Sequence, residues 1–289
     1  MITQIINDKF FKTQLHLCVI IEEGFKIINE NESVFHIYNS LFKRYIYNFE
    51  SVSVLLKDFD VNKKHRILPI SIVLRASLLD YLTTLYLITF QAEKKIKGKL
   101  DKEYKIVVDK LMSEQIRRII SVNENDKKTK FYNYNEHCQT VDLLKVKFPY
   151  LFDQNIEIDY NKPSKSLIYN INDDIKPGTI RKRLDDISNQ LENIHYEDVF
   201  YLYDLYSKYD HFGTISIFLE NINIDLVCSN ILGALFHISE GLGFCIDLMK
   251  EEVNCKSDFI KIEHEISSLR GVIHSKTFWL SEEYKKNNQ

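Results

Sequence analysis

The sequence predicts an all-α protein, a multi-helix bundle with an irregular insertion around residues 148–178. Glycine and proline are scarce, at 8 and 4 of 289 residues, which disfavours turn-rich sandwiches and barrels. Apolar residues recur every three or four positions, the spacing of one helix face, and no segment shows a sustained alternation of period two. We therefore expect a single helical domain over residues 1–289, made of an N-terminal hairpin (1–60), a central bundle (61–256) and a C-terminal helix with its tail (257–289).

Two helices are predicted at the N-terminal end, over residues 8–29 and 33–59. In the second, Ser33 is placed to act as the N-cap, because its hydroxyl can accept from the backbone of the first turn. The buried face predicted for the first helix consists of Phe11, Leu15, Cys18, Ile21, Phe25 and Ile28.

Residues 67–93 form the next predicted helix, which is apolar nearly all round and has Pro69 in its first turn. Its length would span a bilayer, but Arg75 and Asp80 interrupt it. Each charge costs about 2.5–3.5 kcal/mol to insert at the middle of a membrane. We therefore expect a central bundle helix, followed by helices over 103–122 and 136–147.

The segment 148–178 carries three of the four prolines, Pro149, Pro163 and Pro177, among many Asn, Asp and Lys residues. A functional lid and a disordered excursion are equal alternatives for such an irregular stretch. Thr179 is predicted to cap a helix over 180–195. Further helices are predicted over 196–221, 224–252 and 257–279, with a charged tail from Glu282.

Charge and cysteine content narrow the class of protein. The formal net charge of −3 is nearly balanced, so no global field attracts nucleic acid or an anionic membrane. The five cysteines are odd in number and lack CxxC spacing, which indicates buried thiols in a reducing interior. Residues 1–12 lack the pattern of a signal peptide, so we expect a cytoplasmic protein with no membrane partner.

A polar stripe on the helix over 196–221 gives the first candidate site. Helical spacing aligns Asp204, Ser207 and His211, and Arg75 and Asp80 are the only charges in the apolar run 67–90. Buried charges need partners, so we expect Asp204 to meet Arg75 and His211 to meet Asp80. Such a layer either lines a site, with His211 as a base or phosphate ligand, or is a structural network that fixes helix register.

Arg270 and His274, one helical turn apart, give a second candidate site. HEPN-domain ribonucleases are helical bundles that commonly dimerise and cut RNA with an Arg and a His separated by four to six residues. This pair resembles theirs but has three intervening residues. A di-iron centre would need a second copy of Glu192-x-x-His195, which the sequence lacks, so we expect no metal and no cofactor.

Three motifs together resemble a bacterial all-helical domain family of unknown function. They are 74-LRASLLD-80, the helix start 177-PGTIR-181 and 203-YDLYSKYDH-211, in that order. The family shares an Arg-x-x-x-acid helix, from which Asp80 departs by one position, and a Tyr-x-x-(Leu/Tyr)-Ser-x-x-x-His helix. The resemblance covers about residues 67–248. By analogy with HEPN-like bundles it implies a role in bacterial defence or stress.

From these residues we expect an intracellular binding or regulatory module that uses the layer of Arg75, Asp80, Asp204, Ser207 and His211. The alternative is a metal-independent ribonuclease, in which His211 or His274 is the general base and Arg75 or Arg270 stabilises the phosphorane. RNA and a protein are the alternative partners, and a homodimer is the alternative to a monomer.

Overall fold

The computed structural model describes residues 15–27, 36–57, 59, 64–92, 99–126, 133–188, 196–210, 223–252 and 259–287. These residues form an all-α protein, as predicted. Their nine helices are α1 (15–27), α2 (His36–Lys57), α3 (Ile67–Ala92), α4 (Lys99–Asp126), α5 (Tyr134–Lys147), α6 (Pro177–Asp186), α7 (Tyr196–Asp210), α8 (Ile224–Glu252) and α9 (Ile260–Asn287).

The chain folds as two compact units. Unit 1 comprises Met1–Leu85 and Ile187–Gln289, and unit 2 comprises Tyr86–Asp186. The described parts of α1, α2, α7, α8 and α9 belong to unit 1, where α8 packs along α9 and along α2. The subdivision predicted from the sequence, with an N-terminal hairpin, a central bundle and a C-terminal helix, stays a prediction.

A close approach of α2 to α8 organises the core of unit 1. Tyr45 on α2 is fully buried, and an added Cβ at Gly241 on α8 would lie 2.5 Å from its phenolic oxygen. The Tyr45 hydroxyl lies 2.8 Å from the hydroxyl of Thr84 on α3, which itself donates to the backbone oxygen of Asp80. Tyr45 is therefore the donor to Thr84. Only glycine at position 241 leaves room for this arrangement.

The predicted buried face of α1 is wrong. Leu15 and Cys18 are exposed, and the buried stripe runs through Leu17, Ile20, Gly24 and Ile27. Gly24 explains the error, because a count of apolar side chains ignores glycine. An added Cβ at Gly24 would lie only 2.7 Å from the ring of Phe42, so the missing side chain is what lets α1 approach α2.

Several predicted helix limits also differ from the structure. Helix α6 begins at Pro177, so Thr179 lies inside the helix and does not cap it. Proline suits a first helical position because its φ angle is already fixed there. Helix α9 continues to Asn287, beyond the predicted end at 279. The predicted cap Ser33, the pair Glu192 and His195, and residues 211–222 lie outside the described residues.

Unit 2 contains the irregular segment 148–178, which is an ordered part of the fold. Leu151, Phe152 and Leu167 are buried, and a single bridge pairs Phe152 with Leu167. Arg117 on α4 holds the segment, because it donates to the backbone oxygen of Tyr169 at 2.6 Å and to the carboxylate of Asp174. Of the two alternatives raised by the sequence, disorder is therefore wrong.

A second attachment of the segment comes from α5. The ring of His137, which is buried, donates from Nε2 to the backbone oxygen of Tyr160 at 3.0 Å. The Tyr160 hydroxyl in turn donates to Asp142 on the same helix at 2.7 Å, and this bond raises the pKa of Tyr160 to about 12. The segment is thus fastened at both α4 and α5.

Among the helices that the structure describes, two are long and apolar enough to cross a membrane by length and composition, α3 over Ile67–Phe90 and α8 over Ile224–Lys250. More than half of the most apolar window of each is buried within the protein. Central helices of a bundle share these properties with membrane-spanning helices.

The cysteines differ in exposure, contrary to the prediction that all are buried. Cys228 and Cys245 are buried, whereas Cys18 is exposed and Cys138 is half-buried. Burial raises the pKa of Cys228 to about 12 and that of Cys245 still further. Cys18 is exposed because the buried face of α1 runs through Leu17 and Ile20 instead. Cys255 lies outside the described residues.

Candidate functional site

Asp80 faces α2, where it forms an ion pair with Arg44. The guanidinium approaches both carboxylate oxygens, with Nε 3.0 Å from Oδ2 and Nη2 2.8 Å from Oδ1. The Asp80 side chain is 5% exposed and that of Arg44 is 44% exposed. Such two-pronged contacts are among the strongest charge-assisted hydrogen bonds. The sequence pattern singled out Asp80 but not Arg44, which lies 36 residues away.

The other described members of the expected layer have different surroundings. Arg75, which is half-buried, lies over the ring of Tyr203 on α7, with 5.7 Å between the guanidinium carbon and the ring centroid. Ser207 donates to the backbone oxygen of Tyr203 in its own helix at 2.9 Å. Asp204 is exposed, so it does not lie in an interior layer. His211 lies outside the described residues, and its pairing with Asp80 stays a prediction.

Apolar packing explains why α7 is oriented in this way. Val199, Leu202 and Tyr206 are all buried, and they recur at the same three-to-four spacing as the polar stripe. The free energy gained by burying these three side chains exceeds that of any interaction that Asp204 could form inside the core. The helix therefore turns Asp204 outward.

A second polar group, which we call the Glu240 cluster, joins α3, α8 and α9. It consists of Tyr81, His237, Glu240 and Arg270. The Tyr81 hydroxyl donates to Oε2 of Glu240 at 3.0 Å, and Nδ1 of His237 lies 3.2 Å from the same oxygen. Arg270 donates from Nη2 to Oε1 at 3.0 Å. One carboxylate thus receives donors from three helices.

The electrostatics of the cluster keep Glu240 ionised. Burial raises the pKa of Glu240, but the hydrogen bonds from His237 and Tyr81 and the charge of Arg270 lower it by more, so that the net shift is downward. Burial and the neighbouring carboxylate raise the pKa of Tyr81 far above its ordinary value. The cluster at neutral pH therefore contains a carboxylate, a guanidinium and a neutral phenol.

The cluster reaches the surface at what we call the α9 edge, formed by Phe236, Arg270 and His274. The Arg270 guanidinium lies 5.5 Å from the centroid of the Phe236 ring, and the His274 ring lies 5.9 Å from it. Phe236 is half-buried and His274 is exposed. The Arg270 side chain remains 41% exposed despite its contact with Glu240. The second candidate pair from the sequence, Arg270 and His274, is therefore brought together on one aromatic ring.

This arrangement can bind an anion and accept a proton. A carboxylate accepts only, so Nδ1 of His237 must donate to Glu240, and Nε2 of the neutral ring then carries the lone pair. Carboxylates orient imidazole bases in this way in many enzymes. Arg270 supplies a fixed positive charge next to the ring, and Phe236 supplies an apolar face.

The sequence also carries a signal for Glu240, which is not among the candidate residues predicted from it. Between Asp225 and Asp247, Glu240 is the one residue among Asp, Glu, Lys and Arg in an otherwise apolar helix. The same kind of isolated charge singled out Arg75 and Asp80 in α3. His237, on the same helix, is buried and is a hydrogen-bonding partner of Glu240.

Within the described ranges, no three His, Cys, Asp or Glu side chains converge so as to hold a metal ion. No protein-family model, no curated protein and no solved structure matches this chain.

Proposed function

We propose that this protein is a binding module and that it binds single-stranded RNA at the α9 edge. The observation that carries the proposal is the contact of Arg270 and of the exposed His274 with one half-buried ring, Phe236. Proteins bind single strands by stacking bases on aromatic or guanidinium planes and by neutralising phosphates with cations. The α9 edge supplies each of these groups.

The balanced composition supports a local binding site. With a formal net charge of −3, the chain has no overall attraction for a polyanion, so affinity must come from a few placed groups. Each phosphate contact on a single strand contributes about 0.7 to the slope of log affinity against log salt. We expect a shallow slope, because Arg270 is the one permanent cation of the α9 edge.

Fluorescence anisotropy with a labelled single-stranded RNA of mixed sequence tests this proposal. Arg270→Gln should weaken binding about 10- to 100-fold, since a hydrogen bond to a charged group is worth about 1.5–3 kcal/mol. His274→Ala should weaken it too, and it leaves the hydrogen bonds of Glu240 intact. His264→Ala is the matched control, because His264 is an exposed histidine of the same helix. Equal affinities for all four proteins, or no binding by the wild type, would refute the proposal.

A second candidate function is a metal-independent ribonuclease at the same edge, favoured by the hydrogen bond between His237 and Glu240. In this scheme a histidine removes the proton of a ribose 2′-hydroxyl, the 2′-oxygen attacks phosphorus, and the 5′-oxygen leaves with a proton from a second imidazole. His274 and His237 would share these roles, and Arg270 would stabilise the phosphorane.

Incubation with mixed RNA, followed by analysis for 2′,3′-cyclic phosphate ends, separates cleavage from binding. Wild type should be compared with His237→Ala, His274→Ala and His211→Ala, with His264→Ala as the control. Absence of cleavage by the wild type would remove this candidate and leave the binding module. Loss of cleavage only in His211→Ala would move the site to the predicted layer that contains His211.

The resemblance to HEPN-like bundles gives both candidates a setting, which is RNA-linked defence or stress response in bacteria, in the cytoplasm. It also suggests a homodimer. A light-scattering mass equal to that of a 34.3 kDa monomer would argue against self-association.

A further inference from the structure

Helix α9 carries another polar arrangement, nearer its N-terminal end, where it meets α1. Nδ1 of His16 lies 2.7 Å from Oε2 of Glu265, and Nε2 of the same ring lies 3.3 Å from the hydroxyl of Ser268. Glu265 and Ser268 are three residues apart, so both project from one face of α9 towards α1. The side chains of His16 and Glu265 are 26% and 20% exposed, and Ser268 is half-buried.

The hydrogen-bond order in this set is fixed by the carboxylate. A carboxylate cannot donate, so Nδ1 of His16 carries a proton and gives it to Glu265. Nε2 of the neutral ring is then an acceptor, and the hydroxyl of Ser268 donates to it. A hydroxyl that donates to an imidazole, which in turn donates to a carboxylate, is the arrangement that activates serine in hydrolases on several unrelated folds. A separation of 3.3 Å is usual for such a pair without substrate.

We propose that Ser268 is a nucleophile towards small carboxylic esters, with His16 as its general base and Glu265 as the residue that positions His16. Oγ of Ser268 attacks the ester carbonyl carbon while its proton passes to Nε2 of His16. Collapse of the tetrahedral intermediate breaks the carbon–oxygen bond to the leaving alcohol, which takes that proton. Water then hydrolyses the acyl-serine by the same steps, so protons and atoms balance.

This site is separate from the α9 edge. None of its three residues belongs to the Glu240 cluster, and the proposal does not depend on RNA binding. Its chemistry is also independent of Arg270 and His274. A test of RNA binding and a test of Ser268 reactivity can therefore give opposite results.

The chain supplies its own control for Ser268. Ser267, the preceding residue of α9, is exposed and has no imidazole partner among the described residues. A fluorophosphonate probe reacts with an activated serine by forming a phosphorus–oxygen bond and expelling fluoride, while the serine proton passes to the base. Peptide mass mapping of the labelled wild-type protein should show Ser268 modified at least about 100-fold faster than Ser267, the lower range for general-base assistance. Equal labelling of the two serines would overturn the proposal without any variant.

Variants then assign the roles. His16→Ala should reduce labelling of Ser268 about 100-fold, and added imidazole should restore part of it, which loss of a purely structural contact would not allow. Glu265→Gln should reduce it less, because the amide oxygen still accepts from Nδ1. His264→Ala, the exposed control on α9, should label as the wild type does. Labelling of His16→Ala at the wild-type rate, with circular dichroism showing an intact helical fold, would also overturn the proposal.

Discussion

Asp80 and Glu240 are two shielded carboxylates of unit 1 that differ in how they are held. Asp80 receives the fork of one guanidinium, that of Arg44, and its side chain is 5% exposed. Glu240 receives a phenol, an imidazole and a guanidinium from three helices, and its side chain is 20% exposed. Both guanidinium partners reach solvent, but only Arg270 lies against an aromatic ring, Phe236, that also contacts the exposed His274. Burial of a charge alone therefore does not mark a binding site, and the groups around its partner at the surface matter as well.

Removal of Arg44 should have the largest effect, because it acts on the more deeply buried of the two carboxylates. Arg44→Met takes the guanidinium away from a buried carboxylate, which should lower the free energy of unfolding by about 3 kcal/mol. Asp80→Asn should cost less, because Arg44 is 44% exposed and can be hydrated when its partner is neutral. Urea denaturation followed by circular dichroism measures both. If Asp80→Asn proved the more harmful change, the asymmetry between the two partners would be disproved.

The room for an added methyl group should also differ between Gly241, which faces Tyr45, and Gly271 at the α9 edge. Gly241→Ala places a methyl group 2.5 Å from the Tyr45 oxygen and should destabilise the protein by about 1–3 kcal/mol. Gly271→Ala, beside Arg270 at the α9 edge, meets no atom within 4 Å. It should stabilise the protein by about 0.5–1 kcal/mol, since alanine is the better helix former. Thermal midpoints that move in the same direction in both variants would show that the surroundings of the two glycines are equally packed.

The pH dependence of stability should show the smallest of these effects and should report on Glu240. The pKa of Glu240 is lower in the folded protein than its ordinary value of 4.5. Its contribution is therefore fully present above the ordinary value and is lost as the pH falls through the lowered pKa of the folded state. Relative to Glu240→Gln, the wild type should lose stability on acidification below about pH 4.5. Parallel curves of unfolding free energy against pH for the two proteins would mean that folding does not shift the pKa of Glu240.

Much of the fold could be predicted from spacing and composition, because long apolar helices leave a strong periodic signal. The limits of α8 agree with the prediction at both ends, and α3 agrees to within one residue. The prediction of the buried face of α1 was wrong because it ignored a glycine on that face. The prediction of Thr179 as a cap was wrong because the helix already begins at Pro177. These are local details in which one residue outweighs a pattern.

The candidate site was less accessible to sequence reasoning because its contacts are long-range. A lone charge in an apolar helix shows that a partner exists, but not which one: Asp80 pairs with Arg44 on α2, a partner that the sequence pattern did not indicate. The same signal was present at Glu240, whose partners come from residues 81, 237 and 270. His16 lies 249 residues from Glu265, a distance at which no spacing rule applies.

The uneven exposure of the thiols has a practical consequence for spectroscopy. Cys18 in unit 1 and Cys138 in unit 2 are accessible to a maleimide, whereas Cys228 and Cys245 are shielded and hold their protons tightly. Once Cys255 is replaced, the two accessible cysteines give one attachment point for a dye in each unit. Energy transfer between donor and acceptor fluorophores at these two positions would follow any motion of one unit against the other in solution.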